Sequence, residues 1–354
     1  MSETAKTRNP AFDIVKAAMM LWVVWGHLGL YGIVAGDSSV WMRNAKIGVN
    51  MPVFFVMSGY FAKSMFDRRN PGRMVARAVC FIWPQVVFAT VCAFVFGIYA
   101  HSMNIYGVFH SVMGFWFLKS IAAVYLLSAL VYCSMRTEAQ RWAAFAMCYA
   151  AMLFCPSRLH LPWCGQVIHM FPYFVFGLMV LRRHPLHENR LAAFLCGAAF
   201  VAAVVLQGDS GVNGMNFWKV NAHWRIVFSN MRDFATFFAR TLVGLAGSLF
   251  VLSCAGFVCR KIRCAGGLAE FGTTSLGVYV IHEYPLQLAG NHFHSPLFPP
   301  WSRWIVALCW FLICHCAIVF VKRRRALRVA FFGDEGLVAA AIDRVAFKRL
   351  GLGR

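Results

Sequence analysis

Long blocks of apolar residues, separated by short polar segments, run along almost the whole chain. The blocks approach the length of about 20 residues that an α-helix needs to cross a ~30 Å hydrocarbon layer. A soluble amphipathic helix would instead show apolar residues on one face, with a period near 3.6. The pattern predicts an all-α, polytopic transmembrane helix bundle. The ten predicted spans lie near residues 12–33, 47–66, 74–99, 115–135, 142–154, 167–181, 191–206, 237–258, 268–288 and 301–321.

Lys and Arg residues cluster between these blocks and predict how the chain is inserted. Cytoplasmic loops of membrane proteins carry an excess of both residue types. With the N-terminus inside, the inward segments hold 23 of them and the outward loops hold 6. This asymmetry predicts an N-in, C-in topology and an even number of spans. The inward segments are 1–11, 67–77, 136–141, 182–190, 259–267 and 322–354, and the outward loops are 34–46, 100–114, 155–166, 207–236 and 289–300.

The same pattern predicts one transmembrane domain, residues 1–322, followed by a basic cytoplasmic tail, residues 323–354. No internal repeat or low-complexity linker marks a further domain. A run of four basic residues, 322–325, leads into the tail. Around 336–350 the tail fits either an amphipathic helix lying among lipid headgroups or a plain solvated segment.

The amino-acid composition indicates which class of partner the protein binds. Hydrophobic residues make up 60% of the 354 positions and charged residues 13%, about half the ~25% of an ordinary soluble domain. The net charge of +21 would suit nucleic acid, but the basic residues lie in short clusters between apolar blocks, where they meet anionic headgroups. We therefore expect a lipid bilayer and no nucleic acid, and the oligomeric state stays open. His292 and His294 lack further ligands, so no metal site is predicted.

Ionisable residues inside the predicted spans are candidates for function, because a charge at the bilayer centre costs about 3 kcal/mol or more. The first span holds Asp13, Lys16 and His27. At 100° per residue, Lys16 and His27 lie about 20° apart around the helix and about 16 Å apart along it. Asp13 falls within about 60° of both. His282 and Glu283 form a second polar pair in the ninth span.

Each of the three residues in the first span also has a simpler interpretation. Lys16 could extend to the headgroups, Asp13 could pair with it at i,i+3, and His27 could be a hydrogen-bonded interior histidine. Their shared face favours function, with His27 as the proton acceptor, since a neutral imidazole is suited to that role near pH 7.

Four further residues are candidates for substrate binding. Arg73 and Arg77 share one face at the start of the third span, where guanidinium groups can bind phosphate. Their alternative role is orientation by positive charge alone. Ser58, which precedes Gly59, would cradle a substrate or let two helices approach closely. Trp116 belongs to the aromatic opening of the fourth span.

Taken together, these segments resemble the acyltransferase 3 family of bacterial membrane-bound O-acyltransferases. The matching segments are in family order and extend from about residue 10 to 320. Lys16 stands where many members have Arg, as in the subgroup resembling fucose 4-O-acetylases, and Arg73 and Arg77 are spaced by four rather than three. The segments are FDIVK at 12–16, WGH at 25–27, PVFFVMSGY at 52–60, WP at 83–84, FWFL at 115–118, FPYFVFG at 171–177 and SLGVYVIH at 275–282.

The resemblance implies an enzyme of the bacterial cytoplasmic membrane that moves an acyl group to a hydroxyl of an envelope glycan or secreted glycoconjugate. The donor co-substrate is usually acetyl-CoA. His27 is expected to act as general base or to assist acyl relay, while Lys16 and Asp13 orient the first helix or contact the donor. Arg73 and Arg77 are expected to bind the donor phosphates. Ser58 and Trp116 are expected to line the site.

Two other classes of protein compete with this interpretation. A transporter or flippase for a lipid-linked sugar would use Lys16, His27 and His282 along a substrate or proton path. Transporters often show internal repeats and interrupted helices at matching positions, and the sequence shows neither. A structural membrane subunit would give the three polar residues of the first span no reason to share a face.

Overall fold

The computed structural model describes residues 9–35, 40–99, 116–154, 164–214, 231–261, 265–293 and 296–350. Within these ranges the chain is helical, and an isolated bridge between Val34 and Phe298 is the β-pairing present. The helices are α1 (Pro10–Leu30), α2 (Val40–Asp67), α3 (Pro71–Tyr99), α4 (Trp116–Ser134), α5 (Glu138–Phe154), α6 (Cys164–Phe176), α7 (Arg190–Gly214), α8 (Met231–Lys261), α9 (Ala265–Gly272), α10 (Ser275–His292), α11 (Arg303–Arg323), α12 (Arg325–Phe332) and α13 (Glu335–Leu350). A π-helical turn, Gly177–Leu181, continues α6.

The described helices confirm a helical membrane protein. Five of them contain stretches long and apolar enough to cross a bilayer: Pro10–Leu30, Pro71–Val95, Trp116–Ser134, Phe237–Lys261 and Pro300–Arg323. Two shorter apolar stretches are Gly165–Leu181 and Arg190–Leu206. Large apolar side chains face outward, such as Leu206 at 84% and Phe194 at 71% exposure, which suits lipid rather than water. Ten crossings with both ends inside remain a prediction.

The ninth predicted span is wrong as one continuous helix. It is broken between α9, which ends at Gly272, and α10, which begins at Ser275. The Thr274 hydroxyl donates to the carbonyl of Phe271 over 2.9 Å, the local hydrogen bonding by which threonine competes with a regular helix. A Cβ atom on Gly272 would overlap the backbone oxygen of Asp13. Hydropathy could not reveal this break, because it depends on a close contact with α1.

The chain forms two compact units. The first comprises Met1–Asn50, Pro185–Leu206 and Ala246–Phe320, and the second comprises Met51–His184, Gln207–Leu245 and Val321–Arg354. In the first unit, α1 packs against α9 and α10. In the second unit, α4 packs against α3 and α6.

Two glycines let α2 and α6 touch backbone to backbone in the second unit. A Cβ atom on Gly59 would overlap the carbonyl of Phe174, and one on Gly177 would overlap the carbonyl of Val56. Small residues at such crossings allow close packing where no hydrophobic force acts between helices. Gly59 therefore serves the close approach that was one of the two interpretations of the Ser58-Gly59 pair.

The residues predicted as a basic tail form two helices, α12 and α13, that pack against α3. Gly333 joins them with φ +70°, a conformation that glycine adopts without strain. The Asp334 carboxylate accepts a hydrogen bond from the Leu337 amide over 3.0 Å and so caps α13. The segment around 336–350 is thus a helix packed on the protein, rather than a plain solvated tail.

Candidate active site

Two histidines from distant parts of the chain meet inside the first unit. His27 Nδ1 lies 2.9 Å from His282 Nε2, and the two ring planes are 2° apart with centroids separated by 5.0 Å. His27 comes from the last turns of α1 and His282 from the middle of α10, helices that pack together. His282 is fully buried, whereas the His27 side chain is 16% exposed.

The surroundings of His282 determine which nitrogens carry protons. His282 Nδ1 lies 2.9 Å from two backbone oxygens, those of Val278 and Tyr279. Carbonyl oxygens only accept hydrogen bonds, so Nδ1 of His282 is the protonated donor. A neutral His282 then presents the lone pair of Nε2, which accepts a hydrogen bond from His27 Nδ1–H. In the neutral form of His27 the lone pair consequently resides on Nε2.

A carboxylate lies beside that nitrogen. Glu283 Oε1 is 4.0 Å from His27 Nε2, and the same oxygen accepts a 2.7 Å hydrogen bond from the Tyr31 hydroxyl. The Tyr31 ring also packs edge-on against the His27 ring, with centroids 5.8 Å apart. The arrangement can take up a proton at His27 Nε2 and stabilise the resulting positive charge through Glu283.

One possible metal-ligand atom from each of His27, His282 and Glu283 lies within 4.8 Å of the others. The two histidine nitrogens are, however, at hydrogen-bonding distance from each other. A zinc ion would need both lone pairs directed at itself. The hydrogen-bonded arrangement accounts for both nitrogens, and the absence of a metal site stays a prediction.

Asp13 and Lys16 lie near the other end of α1. Lys16 Nζ donates a 3.0 Å hydrogen bond to Asp13 Oδ1, which confirms the i,i+3 pairing. Asp13 is 3% exposed, and its backbone oxygen meets Gly272 at the break between α9 and α10. The pair therefore sits where α1 contacts its neighbours. Such a position fits the expected role of orienting the first helix.

The other four sequence candidates belong to the second unit. Ser58 and Trp116 are half-buried, on α2 and at the first residue of α4, and Trp116 packs edge-on against Phe117. Arg73 and Arg77 are exposed near the start of α3. The first unit thus contains Asp13, Lys16 and His27, and the second unit contains Ser58, Arg73, Arg77 and Trp116.

Arg77 is held between two groups of its own unit. Its Nη1 donates a 3.0 Å hydrogen bond to Glu335 Oε2, and its Cζ lies 5.4 Å from the centre of the Phe81 ring. The Arg73 guanidinium makes no ion pair with any residue that the structure describes. The two arginines therefore differ, since one has a carboxylate partner.

A second polar network lies at the end of α2. Asp67 accepts hydrogen bonds from Lys63 Nζ, at 2.8 Å to Oδ2, and from the Tyr132 hydroxyl, at 2.6 Å to Oδ1. Burial alone would raise the pKa of Asp67, but the hydrogen bonds from Lys63 and Tyr132 outweigh it and lower that pKa. The Arg141 guanidinium lies 3.8 Å from the centre of the Tyr132 ring. Sequence reasoning did not single out this network.

Of the residues that assemble around His27, the sequence indicated His282 and Glu283 as a costly polar pair but not as its partners. Tyr31 was missed. A tyrosine near the end of a membrane helix is common at the interface, and its bond to Glu283 spans 252 residues.

The chain is similar to known proteins along most of its length. A family model described as an acyltransferase domain matches residues 9–320. The nodulation protein NolL of Sinorhizobium fredii is 23% identical over 300 residues, which cover 81% of this chain and 79% of that protein. No solved structure matches the chain. The matched range contains α1 and α10 and ends before α12 and α13.

Proposed function

This chain belongs to the acyltransferase 3 family, and from that premise we propose that it moves an acetyl group from acetyl-CoA to a hydroxyl of an envelope glycan or secreted glycoconjugate. The enzyme would act in the bacterial inner membrane. The observation that carries the proposal is the contact between His27 and His282, which directs the lone pair of His27 Nε2 away from the histidine pair.

In the proposed reaction His27 is the general base. Its Nε2 accepts the proton of the acceptor hydroxyl while the hydroxyl oxygen attacks the thioester carbonyl. The new C–O bond forms, the C–S bond breaks, and the proton on His27 passes to the departing thiolate. A positioned base of this kind contributes about 10²- to 10⁴-fold to a rate.

Two neighbouring side chains, those of His282 and Glu283, assist His27 during the proposed proton transfer. His282 accepts from Nδ1–H throughout and so keeps the ring in one orientation and one tautomer. The Glu283 carboxylate, 4.0 Å from Nε2, stabilises the imidazolium that forms during proton transfer. A covalent acyl group on Nε2 is the alternative use of the same lone pair.

The donor would be bound by cationic groups. Arg73 and Arg77 offer two guanidinium forks on one face of α3, which suits the phosphates of CoA. Lys16 and Asp13 are proposed to fix the position of α1. Ser58 and Trp116 are proposed to line the site, and the apolar spans would shield the thioester from water.

The test is acyl transfer in isolated membranes. Membranes containing the wild-type protein are incubated with acetyl-labelled acetyl-CoA, and covalent label on glycan is counted. His27→Ala is expected to lower the label at least 100-fold at equal protein level. His292→Ala, which removes an exposed histidine at the last residue of α10, is the matched control and is expected to keep full activity.

The same assay separates the enzyme from a transporter or flippase. A transporter would move a lipid-linked sugar without leaving an ester on it. Full labelling by His27→Ala would remove His27 from the mechanism, and unlabelled glycan with the wild-type protein would contradict acetyl transfer altogether.

A further inference from the structure

The C-terminal hairpin, residues 325–350, brings a carboxylate to one of the proposed donor-binding arginines. It consists of α12, the turn at Gly333 and α13, and it begins beyond the range matched by the family model. Both helices pack against α3, which bears Arg73 and Arg77. The contact therefore joins a helix inside the matched range to a segment beyond it.

Several contacts fix the hairpin to α3. The Trp83 indole Nε1 donates a 2.7 Å hydrogen bond to the carbonyl of Ala330 in α12. The turn at Gly333 lies against Cys80 and Trp83, and its φ of +70° is a conformation that glycine adopts without strain. Asp334 then caps α13. The backbone of this turn therefore places Glu335, the first residue of α13, next to α3.

The Glu335 carboxylate binds Arg77 in the way that a ligand phosphate would. Its Oε2 lies 3.0 Å from Nη1 of Arg77, and the two side chains are 29% and 48% exposed. Guanidinium binds carboxylate and phosphate oxygens through the same N–H donors. The Phe81 ring limits the remaining freedom of the Arg77 guanidinium. A ligand phosphate that takes the N–H now bound to Glu335 must therefore displace the carboxylate.

We propose that Glu335 is a built-in competitor of the donor: it holds Arg77 in the absence of acetyl-CoA and is displaced when a donor phosphate binds. The proposal rests on the function proposed above. The hairpin raises the donor concentration that the enzyme needs, because a donor phosphate that takes this N–H must break the Arg77–Glu335 ion pair. An exposed pair of this type is weak, so the effect on affinity is modest and measurable.

Glu335→Gln tests the proposal, since it removes the charge and keeps the size of the side chain. We expect the KM for acetyl-CoA, and the Kd for CoA measured directly, to fall about two- to fivefold. The KM for the acceptor and kcat should not change. Asp334→Asn is the matched control, because it removes one negative charge from the adjacent residue while asparagine caps a helix as well as aspartate.

Two further variants make the test specific. In an Arg77→Gln background, Glu335→Gln should have no additional effect on donor affinity, which is the signature of a direct pair. Gly333→Ala, which strains the turn, should loosen the hairpin and also lower the Kd for CoA. Detergent-extracted protein of each variant is compared by its unfolding temperature, so that a folding defect is recognised.

Each of these experiments has a result that would overturn the inference. An unchanged or raised KM for acetyl-CoA in Glu335→Gln would overturn the inference, and so would an equal change in Asp334→Asn, which would indicate general charge. Wild-type protein that neither transfers acetyl nor binds CoA would overturn the proposed function and this inference together. An active wild type with an unaltered Glu335→Gln variant would overturn the inference alone.

Discussion

His27 Nδ1 and His282 Nε2 are 2.9 Å apart in rings whose planes differ by 2°. This contact between parallel rings joins residues 255 positions apart in the sequence. Since the far nitrogen of His282 donates to backbone oxygens, the orientation of His27 is ultimately fixed by the α10 backbone. The proposed base is thus held in place by the backbone of a second helix, α10.

Replacing His282 should misplace the base. His282→Ala removes the acceptor for His27 Nδ1–H, and we expect kcat to fall about 100-fold, the loss that follows a misplacement of about 1 Å. His282→Gln offers an amide oxygen to the same N–H and should retain more activity than His282→Ala. The measurement is kcat for acyl transfer in membranes. Equal activity of His282→Ala and the wild type would contradict a positioning role.

Tyr31→Phe should reduce activity through Glu283. The Tyr31 hydroxyl donates to the oxygen of Glu283 that faces His27. Losing a hydrogen bond to a charged acceptor costs about 1.5–3 kcal/mol, so a carboxylate that shifts away should lower kcat about tenfold. Tyr149→Phe is the control, because the buried Tyr149 hydroxyl has no hydrogen-bond partner among the described residues. If both variants lose the same activity, the loss comes from packing.

The Asp67 network should make stability depend on pH in acid. The pKa of Asp67 is lowered in the folded state, so its contribution is complete above the ordinary aspartate pKa of about 3.9 and is lost as pH falls through the folded value. The unfolding temperature of purified protein should therefore exceed that of Asp67→Asn at pH 6, and the difference should shrink below about pH 4. Because Asp67 is 48% exposed, the difference is worth less than about 1 kcal/mol. A constant difference from pH 3 to pH 7 would contradict the assignment.

Gly59→Ala and Gly177→Ala should each prevent the close contact of α2 and α6. The added methyl group would overlap a backbone carbonyl, which cannot move as a side chain can. Overpacking costs about 1–3 kcal/mol or more, so we expect a lower unfolding temperature and poor recovery from membranes. Gly266→Ala is the control, since a Cβ atom there meets nothing within 4 Å. Normal stability of Gly59→Ala would show that the helices separate easily.

Sequence reasoning predicted the parts of this fold that depend on local pattern. Apolar blocks identified the helices, and the positions of Asp13 and Lys16 on one face predicted their ion pair. Contacts between helices far apart in the sequence could not be predicted, because hydropathy does not indicate which helices pack together. His282 could be recognised as costly to bury, yet its partner His27 could not be deduced from spacing. The break after Gly272 and the pairing of Glu335 with Arg77 depend on tertiary contacts in the same way.

The contact of Gly272 with the backbone of Asp13 limits how the first helix can move. With no side chain between the two backbones, α1 is blocked from piston-like travel past α9, since any other residue brought to that point would collide. We therefore expect His27, on the same helix, to keep its height relative to α9. The proposed base would then stay in place while substrates move toward it.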